Sequence, residues 1–200
     1  MTLADKLTFS RIFMAPLFFI VYLLPHFFPA WPYSAGVWTL PVLWVLFIVS
    51  EISDLLDGKV ARARNEVSDF GKLFDPFSDV LVRITYFLCF VIDGIFPIYV
   101  LPLFLIVLYR EFSIQFVRTL MMKKGIAMGA KMSGKIKAVT YMASGAVALL
   151  AVTLFRLGIT GNLFTILKYI SIIIFTVGAV MAVTSFLEYL NFYRKTPKAD

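Results

Sequence analysis

The sequence reads Asp54-Leu-Leu-Asp57-Gly58-Lys-Val-Ala61-Arg62 and, after eight further residues, Gly71-Lys-Leu-Phe-Asp75-Pro-Phe-Ser-Asp79. The two quoted pieces hold four aspartates, one arginine and two glycines, and strongly apolar stretches flank them on both sides. Carboxylates at the edge of a membrane are costly unless another charge compensates them. We therefore expect the chemistry of this chain to lie here.

The composition of the chain is typical of a membrane protein. Of its 200 residues, 60% are hydrophobic and only 16% are charged, whereas a soluble domain has roughly a quarter of its residues charged. A transmembrane helix needs about 20 predominantly apolar residues, and six stretches approach or exceed that length: 7–24, 36–56, 79–96, 99–121, 134–155 and 163–189. We predict an all-α integral membrane protein with six transmembrane helices, formed by a single domain over residues 1–200.

The basic residues favour one orientation of these helices. The net charge is +7, and all but Arg156 and Lys168 of the 19 Lys and Arg residues fall on one side of the predicted topology. Because cytoplasmic loops carry an excess of Lys and Arg, both termini are expected in the cytoplasm. The charges bracket apolar spans and do not line one soluble face, which argues against a nucleic-acid-binding protein.

The four aspartates are spaced so that they share helix faces in pairs. Asp54 and Asp57 are three residues apart, and Asp75 and Asp79 are four apart, so each pair lies on one side of a helix. A short basic connector over residues 59–69 would let the two helices pack antiparallel, with the carboxylate pairs facing each other.

The start of the second helix has two interpretations. Pro76 can occupy the first position of a helix, where its missing N–H costs nothing. Alternatively, Pro76 lies inside a helix that begins near Ser68, a residue type that caps helix N-termini. Both interpretations keep Asp75 and Asp79 adjacent at the cytoplasmic mouth of the third span.

An all-oxygen donor set without nearby Cys or His indicates hard cations, Mg²⁺ or Mn²⁺, and not zinc. Two such ions can stabilise the attacking and leaving oxygens of an in-line displacement.

One alternative is an ordinary charged loop with helix caps and salt bridges. Another is a divalent-cation channel or transporter, whose carboxylates should lie near the bilayer midplane, whereas these aspartates cluster at one edge.

The motif resembles the signature of the CDP-alcohol phosphotransferase family, Asp-x₂-Asp-Gly-x₂-Ala-Arg-x₈-Gly-x₃-Asp-x₃-Asp, with every fixed position filled. The resemblance extends over essentially the whole chain and implies six spans with both termini inside. It also implies the reaction: a CDP-linked alcohol, often CDP-diacylglycerol, loses CMP when a second alcohol attacks its phosphorus.

The resemblance implies a role for each motif residue. Asp54, Asp57 and Asp75 would hold two divalent cations, Mg²⁺ or Mn²⁺, while Asp79 would be a further ligand or the general base on the acceptor hydroxyl. Contacts with CDP-diacylglycerol are expected from Thr8, Gly58, Ala61, Arg62, Ser68 and Gly71. The resemblance further implies a homodimer in the bacterial inner membrane, with its active site facing the cytoplasm.

A narrower resemblance concerns the acceptor alcohol. Residues 67–72, 109–111 and 131–137 are similar to those of bacterial phosphatidylglycerolphosphate synthases, whose acceptor is sn-glycerol 3-phosphate. Leu7, Thr8 and Arg11 fit a Leu-Thr-x-x-Arg pattern of the same enzymes, although the Asn residues that often precede it are absent.

A phosphate-bearing acceptor needs cations that stay charged, and the forked guanidinium of arginine matches phosphate geometry. The candidates are Arg110, Arg118, Lys131 and Lys135. The alternative is the same chemistry with another acceptor, such as inositol phosphate, phosphatidylglycerol or another polyol or amino alcohol.

Overall fold

The computed structural model describes residues 3–28, 33–64, 69–123, 125–126 and 132–195, and their side chains over 8–28, 36–54, 74–123, 125–126, 134 and 136–194. This part of the chain contains six long helices and no strand: α1 (Leu3–Phe27), α2 (Tyr33–Arg64), α3 (Asp69–Ile92), α4 (Leu101–Lys123), α5 (Met132–Arg156) and α6 (Asn162–Lys195). A short 3₁₀ turn, Ile98–Val100, precedes α4. The all-α prediction is confirmed.

Five of these helices, all except α3, are long and apolar enough to cross a membrane. In α3, Asp75, Asp79 and Arg83 leave only residues 84–92 as an uncharged stretch. Large apolar side chains such as Trp38 and Phe116 are exposed on the outer surface, as expected for helices that face lipid. The helices support an integral membrane protein, while the count of six spans and the side of the termini stay predictions.

Helices α2 and α3 differ in their bounds from the sequence-based expectation. α2 continues to Arg64, so much of the predicted connector at 59–69 is helical, because its Lys, Ala and Arg residues favour helix. Pro76 lies inside α3, which selects the second of its two interpretations. α3 ends at Ile92 and not at residue 96, because Gly94 adopts a positive φ of 66° that terminates the helix.

α1 packs between α2 and α3. It contacts both of them extensively, whereas α2 and α3 touch each other little. The expectation that the two aspartate-bearing helices pack directly against each other therefore needs correction. The physical reason is that α1 supplies polar partners, Thr8 and Arg11, which two facing rows of carboxylates cannot supply to each other.

Aromatic packing joins the first three helices to the last three. The ring of Phe87 on α3 lies 4.7 Å from that of Phe175 on α6 and 6.0 Å from that of Tyr141 on α5, measured between centroids. Gly178 on α6 lies against Tyr141 so closely that an added Cβ would be 2.7 Å from the ring. Glycine at such a position lets two membrane helices approach closely, so α5 and α6 pack tightly, and Phe87 packs α3 against both.

A second polar cluster lies at the opposite end of α3, about 21 Å along the helix from the acidic end. Asp93, just after α3, accepts a hydrogen bond from Tyr22 at 2.7 Å and one from Arg156 at 3.3 Å, and His26 Nε2 lies 2.8 Å from its carboxylate. Arg156 also donates to Thr39 at 2.8 Å. The cluster therefore links α1, α2 and α5 to the end of α3.

Candidate active site

Three of the four motif aspartates converge on one arginine. Arg11 on α1 has only 1% of its side chain exposed, and its Nη1 lies 2.9 Å from Asp54 Oδ1 and 2.5 Å from Asp79 Oδ1. Its Nη2 lies 4.0 Å from Asp75 Oδ1. Carboxylates from α2 and α3 thus share a single guanidinium, and we call these four residues the carboxylate site.

Two further side chains complete the surroundings of the carboxylate site. The hydroxyl of Thr8 donates a hydrogen bond to Asp75 Oδ1 and accepts one from Arg11 at 3.4 Å. Arg83 on α3 places its Nη2 3.5 Å from Asp54 Oδ2. Two arginines and a hydroxyl therefore partly offset the negative charge of three carboxylates.

Arg11 and Arg83 were not among the predicted site residues, although the spacing of each from another polar residue points to it. Arg11 follows Thr8 by three residues, so these two polar side chains share one face of a mainly apolar helix. Arg83 follows Asp79 by four residues and lies on the same face of α3. Helical periodicity applied to these polar residues marks both as candidates, although it does not identify the partners of Arg11.

The donor chemistry of the carboxylate site fits a hard divalent cation. Its available groups are carboxylate and hydroxyl oxygens, which Mg²⁺ and Mn²⁺ prefer, and they come from three helices around one point. Among the described residues, no three acidic, His or Cys side chains form a metal-ligating group, and the guanidinium of Arg11 lies among the three aspartates.

Some predicted site residues lie outside the described part of the chain. Ser68 and Lys131 are outside it altogether, and only the helical backbone is described for Asp57, Gly58, Ala61, Arg62, Gly71 and Lys135. α2 does extend through Asp57, so the three-residue spacing from Asp54 falls on a helix as predicted. The roles of these residues stay predictions.

A cavity of about 410 Å³ opens beside the carboxylate site, within the range of roughly 300–1,000 Å³ that small-molecule sites occupy. Its lining has acidic members from α2 and α3, namely Asp54, Asp75 and Asp79, and basic members from α4 and α5, namely Arg110, Arg118 and Lys137. The fold therefore brings three predicted metal ligands and two predicted acceptor contacts to one space.

Arg110 is a fixed part of the cavity wall. It is 5% exposed, and its Nε donates to the main-chain oxygen of Ala182 at 2.8 Å. Its Nη1 donates to Glu111 at 2.9 Å, and its Nη2 donates to the hydroxyl of Ser185. The bonds to Ala182 and Ser185 hold α4 against α6, a packing role that the sequence did not indicate.

Arg118 is held less completely than Arg110. Its guanidinium carbon lies 5.6 Å from the ring centroid of Tyr189, and its Nη2 lies 3.4 Å from the hydroxyl of that tyrosine. Its buried Nε has no hydrogen-bond partner within the described part of the chain. Of the two arginines predicted for the acceptor, Arg118 therefore has the greater capacity left for a ligand.

Lys137 is a cavity cation that the candidate list missed. Its Nζ lies 2.5 Å from Glu111 Oε1, and both residues line the cavity. The helical spacing of Lys137 could have indicated its position, because Lys137 precedes buried Tyr141 by four residues and buried Ser144 by seven. This periodicity places it on the inward face of α5.

Comparison with known proteins identifies the family. The family model described as CDP-alcohol phosphatidyltransferase matches residues 1–184. The chain belongs to this family. As a CDP-alcohol phosphatidyltransferase it is a transferase of phospholipid biosynthesis, which confirms the predicted enzyme class.

Of three curated relatives of this phosphatidyltransferase, two align over most of their own length and one over about half. One from Treponema pallidum, named CDP-diacylglycerol–glycerol-3-phosphate 3-phosphatidyltransferase, is 35% identical over 96% of this chain and 88% of its own. One of the same name from Shigella flexneri is 30% identical over 92% of this chain and 91% of its own. A Streptomyces coelicolor relative named cardiolipin synthase (CMP-forming) is 36% identical over 56% of this chain and 47% of its own.

Proposed function

We propose that this phosphatidyltransferase moves the phosphatidyl group of CDP-diacylglycerol to sn-glycerol 3-phosphate, releasing CMP and forming phosphatidylglycerophosphate. The observation that carries the proposal is the single cavity lined both by the motif aspartates and by Arg118 and Lys137. The names of relatives that align over most of this chain support the same acceptor. The chain acts as one membrane domain over residues 1–200.

In this proposal Asp54, Asp57, Asp75 and Asp79 are the ligands of two divalent cations, Mg²⁺ or Mn²⁺. The oxygen donors of the carboxylate site support it. When bound, such cations would neutralise the diphosphate of the substrate and stabilise the charge of the departing CMP. Asp54 and Asp79 belong to different helices, so their separation depends on the packing of α1 between α2 and α3.

Asp79 also takes the proton of the acceptor hydroxyl. The acceptor oxygen forms a bond to the phosphorus of the phosphatidyl group, the bond from that phosphorus to CMP breaks, and the proton passes to the carboxylate. Asp79 lines the cavity, and a positioned carboxylate is suited to general base catalysis.

The proposed substrate contacts form two groups. The contacts with CDP-diacylglycerol come from Thr8, Gly58, Ala61, Arg62, Ser68 and Gly71. The acceptor phosphate binds to Arg110, Arg118, Lys131 and Lys135. Lys137 is added to this second group because it lines the cavity. A phosphate monoester on the acceptor would give these basic residues a ligand, since guanidinium and ammonium groups form charge-assisted hydrogen bonds to phosphate.

The substitution Arg118→Gln tests the acceptor wall. We expect it to raise the KM for glycerol 3-phosphate by about 10- to 100-fold, because a charge-assisted hydrogen bond to the acceptor phosphate is lost. The measurement is the initial rate of CMP release against glycerol 3-phosphate concentration, at saturating CDP-diacylglycerol in mixed micelles. Lys123→Gln is the matched control, since Lys123 lies on the same helix, is exposed and is not a cavity residue. An unchanged KM in Arg118→Gln would remove this residue from the acceptor site.

A panel of acceptors tests the proposed function as a whole. The purified protein is given CDP-diacylglycerol with glycerol 3-phosphate, inositol phosphate or phosphatidylglycerol in turn, and CMP release is measured. Phosphatidylglycerol is the second candidate acceptor, because of the relative named cardiolipin synthase (CMP-forming). We expect release with glycerol 3-phosphate alone. Release with another alcohol and none with glycerol 3-phosphate would refute the proposed acceptor.

The proposal includes a location and an assembly state. The protein lies in the bacterial inner membrane with six spans, both termini and the active site face the cytoplasm, and two copies form a homodimer. The distribution of Lys and Arg supports the orientation. Labelling of single cysteines placed at the two ends of α5, with an impermeant reagent on intact cells, measures the orientation.

A further inference from the structure

We propose that Arg11 is a built-in counter-cation of the carboxylate site, which competes with divalent cations for the same oxygens and weakens their binding. The inference rests on the proposed cation site and concerns how that site is loaded. Arg11 is a positioning residue in this view, because it acts on the aspartates and not on the substrate.

The first argument is the position of a single nitrogen. Nη1 of Arg11 lies 2.9 Å from Asp54 Oδ1 and 2.5 Å from Asp79 Oδ1. These two oxygens belong to different helices, and the nitrogen lies between them. A cation that bound both oxygens would need the place that this nitrogen occupies, so the guanidinium and the cation compete directly.

The second argument is charge. The Arg11 side chain is 1% exposed, so water screens its charge poorly, and a guanidinium does not lose its proton in proteins. A lysine could release a proton when a divalent cation approaches, but Arg11 keeps its full charge. At an effective dielectric constant near 20, like charges a few ångströms apart repel by several times the thermal energy.

The third argument is that Arg11 has another anionic neighbour. A small cavity is lined by Arg11, Asp54 and Asp79 and also by Glu51, which lies one helical turn before Asp54 on α2. Glu51 is held in place by a hydrogen bond of 2.8 Å from Tyr86. The guanidinium therefore keeps a carboxylate nearby when a divalent cation takes its two aspartate oxygens.

The test is the affinity for Mn²⁺ of the full-length protein in detergent, measured by electron paramagnetic resonance of free Mn²⁺. We expect Arg11→Gln to bind Mn²⁺ at least about tenfold more tightly than wild type, because a full charge beside the cation is removed. In EDTA the same variant should unfold at a temperature several degrees lower, because its partly buried carboxylates lose their counter-cation. The increase in unfolding temperature on adding Mn²⁺ should therefore exceed that of wild type.

Two further variants separate this effect from general damage. Arg11→Lys keeps the charge but loses the forked guanidinium, so we expect severalfold tighter Mn²⁺ binding with a smaller loss of stability. This variant replaces Arg11→Gln in the test if Arg11→Gln does not fold. Arg156→Gln removes another buried arginine that pairs with a carboxylate, at the far end of α3. It should lower the unfolding temperature and leave the Mn²⁺ affinity unchanged.

The possible outcomes are distinct. If wild type binds Mn²⁺ and neither Arg11 variant binds it more tightly, the inference is wrong while the proposed cation site stands. If wild type binds no Mn²⁺, the cation site fails and the inference fails with it. Tighter binding in Arg156→Gln to the same extent as in Arg11→Gln would also overturn the inference, because the effect would not be local.

Discussion

Asp79→Asn is expected to lower the rate of CMP release by about a thousandfold. Asparagine has nearly the shape of aspartate, and it retains an oxygen that Arg11 can bond as it bonds Asp79 Oδ1 at 2.5 Å. The amide cannot accept the proton of the acceptor hydroxyl at neutral pH. The loss should therefore appear in kcat, measured as CMP release from CDP-diacylglycerol and glycerol 3-phosphate.

A control on the same helix distinguishes chemistry from folding. The control is Thr85→Val. Thr85 lies on α3 and does not line the cavity. Its hydroxyl donates a hydrogen bond to the main-chain oxygen of Leu81 on the same helix. This variant should retain the activity of wild type. If Asp79→Asn still binds Mn²⁺ at least in part, Asp79 acts as the general base and is not an essential metal ligand. Unaltered turnover in Asp79→Asn would remove Asp79 from the mechanism.

Removal of divalent cations should have an effect of similar size. EDTA is expected to reduce CMP release to the background rate, and an excess of Mg²⁺ or Mn²⁺ should restore it. The reason is that the diphosphate of the substrate would otherwise meet Asp54, Asp75 and Asp79 without the charge needed to neutralise it. The measurement is the rate of CMP release before and after the addition of each ion.

EDTA that has been saturated with Mg²⁺ beforehand is the control for effects of the chelator on the micelle, and it should leave the rate unchanged. Activity that persists in EDTA after dialysis would contradict a cation requirement. Restoration by Zn²⁺ alone would contradict the oxygen-ligand argument, because zinc sites in proteins are built from Cys and His more often than from aspartate alone.

Local features of the fold could be predicted from the sequence because they depend on neighbouring residues. Apolar stretches of sufficient length gave the helices, and the spacing of Asp75 and Asp79 placed both on one face of α3. The end of α3 was missed because it depends on a single backbone conformation, the positive φ of Gly94. An apolar residue count has no information about that angle.

Features that depend on tertiary contacts could not be predicted in the same way. Arg110 is a predicted acceptor contact because a guanidinium matches phosphate geometry, yet its Nε bonds the main chain of Ala182, 72 residues away. The position of α1 between α2 and α3 has the same origin. Arg11 joins aspartates that lie 43 and 68 residues from it, and no local pattern encodes such pairings.

The lining of the cavity divides according to position along the chain. Asp54, Asp75, Asp79 and Arg83 come from α2 and α3, whereas Arg110, Arg118 and Lys137, with Glu111 and Tyr189, come from α4–α6. In the proposed function, the chemistry at the diphosphate and the binding of the acceptor therefore depend on separate halves of the chain. Exchange of α4–α6 between two members of the family should transfer the preference for an alcohol while the donor lipid stays the same, provided that the aromatic contacts around Phe87 are exchanged as a set.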